Sequence, residues 1–495
     1  MSETLHPTTN LVRFETAEAL QPPADVTAVF KLAPEKAVVG QPGKQPGDLL
    51  LVQQPEGGQH VLVSLGSAAK CSAEAVRRAG GALGKWLLDS GVSHMDLNLD
   101  SLQAAEVEGA LSALCEGIRL GAYRFNRYKE NNPSNDTPAT PIRLTLRGGY
   151  GPDRNRAMIE RIETITQAVL LARDLGHEPA NVLNPITLAE RAQALGAQAG
   201  LTVRVLDEND LADLGAGAIL AVGRGSQTPP RLIVIEYPGA ATAADTRPVA
   251  LVGKAITFDT GGYSIKDTTN IVGMKYDKCG GVNVLATILA AAALRIETPL
   301  VAVIAAAENM ISSAAYRPDD IITSMSGKTI EIISTDAEGR LVLADALTYV
   351  QRNYQPRAII DLATLTGGVV VALGRVRAGM MCNDDELANR LLAAGEKTFE
   401  RLWRLPLDED YVKNMKGDDA DLKNSGGREG HPVLGGAFLS AFIEDGMPWA
   451  HLDIAGTADT PKELPYSPKG ATGFGVRLLL AYLTNSPSPE PKREE

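Results

Sequence analysis

The sequence predicts an α/β protein: a smaller N-terminal α/β domain, a linker helix, and a larger C-terminal α/β domain with a mostly parallel central sheet. Three observations carry this. Short apolar runs and helical patterns alternate through residues 178–485, as they do in an open, largely parallel sheet. Residues 154–175 form one uninterrupted amphipathic stretch, with Met158, Ile162, Ile165, Val169 and Ala172 at helical spacing. At 495 residues, with 44% hydrophobic and 22% charged side chains, the chain has ordinary globular composition and length enough for about two to four domains.

The expected boundaries are 1–150 for the first domain, 151–177 for the linker helix and 178–485 for the catalytic domain. The polar, Pro-rich residues 486–495 are expected to be a disordered tail. In the first domain, residues 48–52, 61–65 and 142–146 read as strands. Residues 72–88 read as a helix with Ser72 as its N-cap, residues 102–128 as one long helix, and residues 131–140 as a turn-rich loop. In the second, Pro185 suits a helix first turn. Residues 203–206, 219–222, 232–237, 249–256, 300–306, 358–362 and 369–373 read as strands, with a short strand also within 449–457. Residues 283–294, 341–351, 384–401 and 478–483 read as helices. Residues 417–436 are too rich in Gly, Asp and Asn to be regular, and a loop of about 20 residues in a compact domain is usually functional.

A net charge of -12 argues against a nucleic-acid surface or an anionic membrane partner. Cys71, Cys115, Cys279 and Cys382 form no CxxC pattern, so free thiols in a reducing compartment are expected. The start, MSETLHPTTNLVRFE, lacks a basic segment followed by an apolar core, and the apolar run 284–294 is far short of a membrane span. The expected location is the cytoplasm.

Chemistry concentrates in residues 253–345, which contain GKAITFDTGGYSIK, MKYDKCGG and STDAEGRLVLAD. Asp259 closes a β-like apolar run. Asp336 and Glu338 follow the alternating KTIEIIS, two residues apart, so an extended backbone would send both to one side. With Asp277 they supply four negative charges. Clustered carboxylates repel and shift one another's pKa values, and two divalent ions would balance them. Carboxylate oxygens suit Mg or Mn, and Zn when a nitrogen joins. Lys254 is a candidate for that nitrogen once deprotonated. Lys266 and Arg340 remain as cations to stabilise an oxyanion. A P-loop reading of Gly253-Lys254 fails, because Pro248 and Ala255 stand where Gly and Ser or Thr are needed. Asp345 near a helix start reads as structural. His177, His431 and His451 have no partner at metal-ligand spacing, and Cys279 reads as a packed thiol.

These residues resemble the leucyl aminopeptidase family, the two-metal M17 peptidases. The likeness is best over residues 180–481, and TDAEGRL (335–341) is nearly the family signature. The resemblance implies that Asp259, Asp336 and Glu338 hold one metal and that Lys254, Asp259, Asp277 and Glu338 hold the other. It implies Lys266 and Arg340 as the catalytic pair, Arg340 by holding a bicarbonate that serves as general base. It places Met274, Thr364, Leu365, Gly367 and Ala455 in the substrate pocket. It also implies an active-site loop around ADLKN (420–424) and a homo-hexamer of two stacked trimers. This sequence departs from the family at Ala255 and Thr260, where Gly and Ser are usual, and at Ser334, which replaces Asn. It also has Lys278-Cys279, where Met and a small residue are usual.

The expected reaction is hydrolysis of the N-terminal residue, leucine-like ones preferred, from short peptides by a water activated between two metals about 3.5–4 Å apart. Mn or Zn are the expected ions. Two alternatives stand beside it: a DNA-binding regulatory role on the same scaffold, and hydrolysis of a non-peptide amide that bears an amine.

Overall fold

The computed structural model describes residues 11–17, 24–33, 41–55, 57–129, 141–240 and 246–484. The chain forms two compact units. One comprises Met1–Asp174 with Pro461–Lys469, the other Leu175–Thr460 with Gly470–Glu495. The division falls inside the helix Pro152–His177. The expected tail 486–495 and loop 131–140 lie outside the described residues.

The first unit is built on strands β1 (Val12–Thr16), β2 (Val26–Ala33), β3 (Leu49–Gln53), β4 (Gln59–Ser67), β5 (His94–Asn98) and β6 (Ile142–Arg147), in the order β1-β6-β5-β2-β4-β3. All neighbours are parallel except the edge pair β3–β4. Against the sheet packs the helix Ala73–Ser90, which the Ser72 side chain caps by accepting from Ala75 N at 3.3 Å. The long helix expected over 102–128 is two helices, Leu99–Gln103 and Ala110–Gly121. Glu106 and Gly109 between them have φ of 52° and 71°, a left-handed backbone that no α-helix contains.

The second unit carries β7 (Thr202–Leu206), β8 (Arg231–Tyr237), β9 (Val249–Asp259), β10 (Leu300–Asn309), β11 (Ile321–Thr323), β12 (Thr329–Glu331), β13 (Ala358–Ala363), β14 (Ala378–Cys382), β15 (Leu402–Arg404), β16 (Leu422–Lys423) and β17 (Trp449–Asp453). Eight of these form one sheet, ordered β15-β14-β17-β13-β9-β10-β8-β7. Its centre, β17, β13, β9 and β10, is parallel throughout. The outer pairings β10–β8, β8–β7 and β14–β17 are antiparallel. Strands β9, β10 and β13 are almost wholly buried, as central parallel strands covered on both faces must be. The helix Cys279–Ala293 lies against β9 at backbone distance. A Cβ on Gly253 would stand 2.5 Å from Gly281 Cα, so this packing requires glycine.

Four sequence expectations are corrected here. Residues 219–222 belong to the helix Gly217–Gly223, and residues 369–373 to the helix Gly367–Leu373. An apolar run that short has no periodicity to separate strand from helix, and caps decide it. Asp345 accepts from Ala218 N and Ile219 N at 2.9 Å each, and Thr366 Oγ1 from Val369 N at 3.2 Å. Of KTIEIIS only Thr329–Glu331 is strand, and it lies in a small three-stranded sheet, β11-β12-β16, outside the main one. The segment 417–436 is less irregular than expected. It contains β16, and the helix His431–Ser440 begins within it after the left-handed Gly430.

Candidate metal centre

Strand β9 supplies the first residues of the site. Lys254 lies within it and Asp259 ends it, at the carboxyl edge of the parallel strands, where open α/β sheets bind ligands. Lys254 is 2% exposed. Its Nζ is 2.9 Å from Asp277 Oδ1 and 2.8 Å from Glu338 Oε1, and donates to Thr364 O at 2.9 Å. Gly339 leaves room for it, since a Cβ there would stand 2.6 Å from that Nζ. Lys266 Nζ is 2.8 Å from Asp259 Oδ2 and also contacts Asp336 Oδ1. Each lysine therefore bridges two of the four expected carboxylates.

Asp336 and Glu338 reach the site by a different route from the one expected. They lie in a turn before the helix Gly339–Tyr354, with Glu338 already in helical conformation at φ -78° and ψ -36°. Three residues not singled out in the sequence hold that turn. Asn309 Nδ2 donates both to Asp259 Oδ1, at 2.8 Å, and to Thr335 O, at 2.9 Å. Tyr316 Oη donates to the same Thr335 carbonyl at 2.8 Å. Asn424 Oδ1 accepts from Ile333 N at 2.8 Å, and its Nδ2 donates to Ser334 O at 2.6 Å. Asn424 lies in the ADLKN segment, so the sequence signal for it was present. Asn309 and Tyr316 carry no motif, and only their contacts reveal them.

The charges perturb one another strongly. Burial raises Asp277 to about 8 and Asp259 to about 6, with neighbouring carboxylates adding to the rise and the lysines opposing it. Burial likewise raises Asp336. It acts the same way on Glu338, but Lys254 and Lys266 outweigh it and bring that carboxyl below its ordinary value. Both lysines are pulled up: burial works against each ammonium, and the surrounding carboxylates prevail. Arg340 is buried and brought down to about 10 by desolvation. Its Nη1 donates to Asn424 O at 2.9 Å, while its Nε has no hydrogen-bond partner among the described residues.

The residues present fit a divalent cation. One oxygen each from Asp259, Asp336 and Glu338 lie within 4.8 Å of one another. Asp277 Oδ2 is buried without a hydrogen-bond partner among the described residues, a costly state that a cation would relieve. The lysine ammonium groups and a divalent ion are alternatives for the same oxygens. None of the three histidines joins the carboxylates. His451 is buried on Asp361, its Nδ1 2.5 Å from Oδ1. His177 and Tyr276 pack edge-on, with ring centroids 5.7 Å apart. His431 opens a helix and is brought down by burial. Cys279 is buried and pushed up to about 12 by desolvation. Thr260 makes good use of its hydroxyl, which donates to Asn309 O at 2.8 Å.

The residues expected to meet substrate lie on four segments. Thr364 and Leu365 follow β13, Gly367 opens its helix, Ala455 follows β17, and Met274 opens the 3-10 turn Met274–Lys278 that carries Asp277. Thr364 Oγ1 donates to Asp277 Oδ1 at 2.7 Å. Asp453, also missed in the sequence, ties two of these segments together. It accepts from Leu365 N at 3.1 Å, Thr366 Oγ1 at 2.7 Å and Ala455 N at 3.2 Å.

Fold and site together fit a metallohydrolase of the α/β class, with carboxylates and lysines clustered at the end of β9. Two family models match the chain: the catalytic domain of the cytosol aminopeptidase family over residues 170–480, and its N-terminal domain over residues 40–132. A probable cytosol aminopeptidase of Syntrophotalea carbinolica is 44% identical over 453 residues, covering 90% of each chain. One of Brucella ovis is 42% identical over 464 residues, covering 93% of this chain and 92% of that one. Among solved structures, the bottromycin maturation enzyme BotP in complex with Mn is similar at a TM-score of 0.85 and 32% identity, covering 93% of this chain and 99% of that one. The chain belongs to the cytosol aminopeptidase family and is a metal-dependent aminopeptidase, a hydrolase that acts on peptides. The DNA-binding and non-peptide alternatives find no support among these relatives. Among the described residues no helix is long and apolar enough to cross a membrane.

Proposed function

We propose that this aminopeptidase removes N-terminal residues, leucine-like ones preferred, from short peptides with two divalent ions, Mn or Zn. Asp259, Asp336 and Glu338 would hold one ion, and Lys254, Asp259, Asp277 and Glu338 the other. Lys254 must give up its proton to do so, which the loss of its carboxylate partners to the ions favours. Bound there, the ions lower the pKa of water and polarise the scissile carbonyl. The observation that carries this reading is the convergence of the carboxylate oxygens within 4.8 Å, with Asp277 Oδ2 left unpartnered beside them.

The chain's own residues do the rest. Asp277 orients the free α-amine of the peptide, which is how an exopeptidase recognises a chain end. Lys266, 15% exposed at the rim of the cluster, donates to the oxyanion as it forms. Arg340 would hold a bicarbonate, which would supply a general base for the attacking water; its Nε, without a hydrogen-bond partner among the described residues, offers a donor for that anion. Met274, Thr364, Leu365, Gly367 and Ala455 line the side-chain pocket and contact the substrate backbone. The domains proposed are residues 1–150, the linker helix 151–177 and the catalytic domain 178–485. The cytoplasm suits the free cysteines. A homo-hexamer is the assembly that the family resemblance implies.

The test is hydrolysis of free and N-acetylated Leu-p-nitroanilide by metal-stripped protein, with Mn, Zn, Co or Mg added back singly. Cleavage only with metal, and only of the free amine, is the expected result. Equal cleavage of the acetylated compound would overturn recognition of the amine.

A further inference from the structure

Lys278 directly follows Asp277, yet the proposed reaction gives it no task. It is fully buried, 0% exposed. An ammonium in the interior is costly unless its donors are satisfied. Here all its acceptors are main-chain carbonyls: Glu178 O at 2.8 Å, Gly176 O at 3.2 Å, and Lys275 O in its own turn. From the same turn, Lys275 Nζ donates to His177 O at 2.9 Å. Three successive carbonyls, Gly176, His177 and Glu178, thus receive lysine N–H groups from Met274–Lys278. These carbonyls stand at the C-terminal end of the helix Pro152–His177, where helix carbonyls lack internal partners and the dipole favours a cation.

That turn is only five residues long, and no side chain caps the helix that follows it. Asp277 Oδ1 is fixed by Lys254 and Thr364, but both contacts belong to the site itself. Two of the three bonds of Lys278 are anchored outside the site, in a helix end. A methionine would fill the volume and donate nothing.

We propose that Lys278 is a positioning residue: the N–H groups of its Nζ tie the turn that carries Asp277 to the end of the long helix and so hold Asp277 ready for a divalent ion. This rests on the reading of Asp277 as a metal ligand. Residues that support metal ligands without touching the metal typically change affinity by about 10- to 100-fold when replaced.

Mn(II) binding to the full-length protein, measured by competition with a fluorescent chelator, separates the possibilities. Lys278→Met is expected to bind Mn(II) about 10- to 100-fold more weakly, with kcat restored to near the parent value at saturating Mn(II). Asp277→Asn serves as reference. If Lys278→Met binds like the parent while Asp277→Asn is weakened, the tie is overturned and the ligand reading stands. If Asp277→Asn itself binds like the parent, the ligand reading falls and the tie with it. Should Lys278→Met fail to fold, Lys278→Gln reads the same quantity. It is shorter by one atom and has two N–H groups for three carbonyls. Binding weakened several-fold supports the tie, and parent-like binding overturns it.

Discussion

Lys254 and Lys266 each bridge two carboxylates, but their surroundings differ, and so should the results of removing groups around them. Glu338 is buried, pairs with Lys254 and shares in both proposed metal sets. Glu338→Ala should lose bound metal and activity together, as elemental analysis and Leu-p-nitroanilide turnover would read. Lys266→Met should keep its metal and lose about 100- to 1000-fold in kcat, the usual effect of removing an oxyanion donor. Equal metal loss in the two variants would contradict the separate roles. His451 supplies a pH signature away from the metal ligands. Burial alone would lower its pKa, but Asp361 outweighs burial and holds it above the ordinary value. The stability this pair contributes is fully present below about pH 6.5 and is lost as pH rises through the folded-state pKa. Urea midpoints should therefore fall between pH 6 and pH 9 in the parent. Asp361→Asn, which leaves His451 without its anion, should remove that fall. A matching fall in both proteins would count against the pair. At this scale the sequence was most readable where a side chain declares its own chemistry. Asp259, Asp336 and Glu338 come together, and Asp277 is joined to Glu338 through Lys254. Asn309 and Asp453 were silent, because an amide or a carboxylate becomes a strut only through its partners.

Elements were readable in proportion to their length. The 26-residue helix Pro152–His177 carries enough turns for its apolar face to show, and β9 is long and continuously apolar. The apolar runs at 219–222 and 369–373 span about one helical turn each, so periodicity could not separate the two states. What settles the first of them is Asp345, a buried side chain more than a hundred residues away in sequence. It accepts from Ala218 N and Ile219 N at 2.9 Å and from Met325 N at 2.7 Å. Each buried donor left unpaired costs about 1–3 kcal/mol, so Asp345→Ala should destabilise the protein by several kcal/mol. Its urea midpoint would report this, and a change within about 0.5 kcal/mol, the range of ordinary surface substitutions, would refute the capping role. Asp345 also anchors the chain ahead of β12 through Met325. The same variant should therefore exchange faster at the amides of Gly217–Gly223 than at those of β9.

For the molecule as a whole, light scattering at micromolar concentration should give the mass of a hexamer. A monomer under the same conditions would overturn the hexamer, and would leave the site open to longer peptides. If the hexamer is required for stability, dilution should lower the thermal midpoint, because assembly that involves only folded chains stabilises them by mass action. The sequence by itself determined the class of the fold, the concentration of chemistry in residues 253–345 and the kind of ligand that four carboxylates require. These follow from local pattern and side-chain type. Only the tertiary structure decided how the site is assembled. It brought a turn outside the main sheet onto the end of β9. It set Asn309, Asn424 and Asp453 as its braces, and it used a buried lysine beside Asp277 to reach a helix end. Such choices depend on which groups meet across long stretches of chain, and a hydrogen bond between distant residues leaves no trace in the neighbourhood of either one.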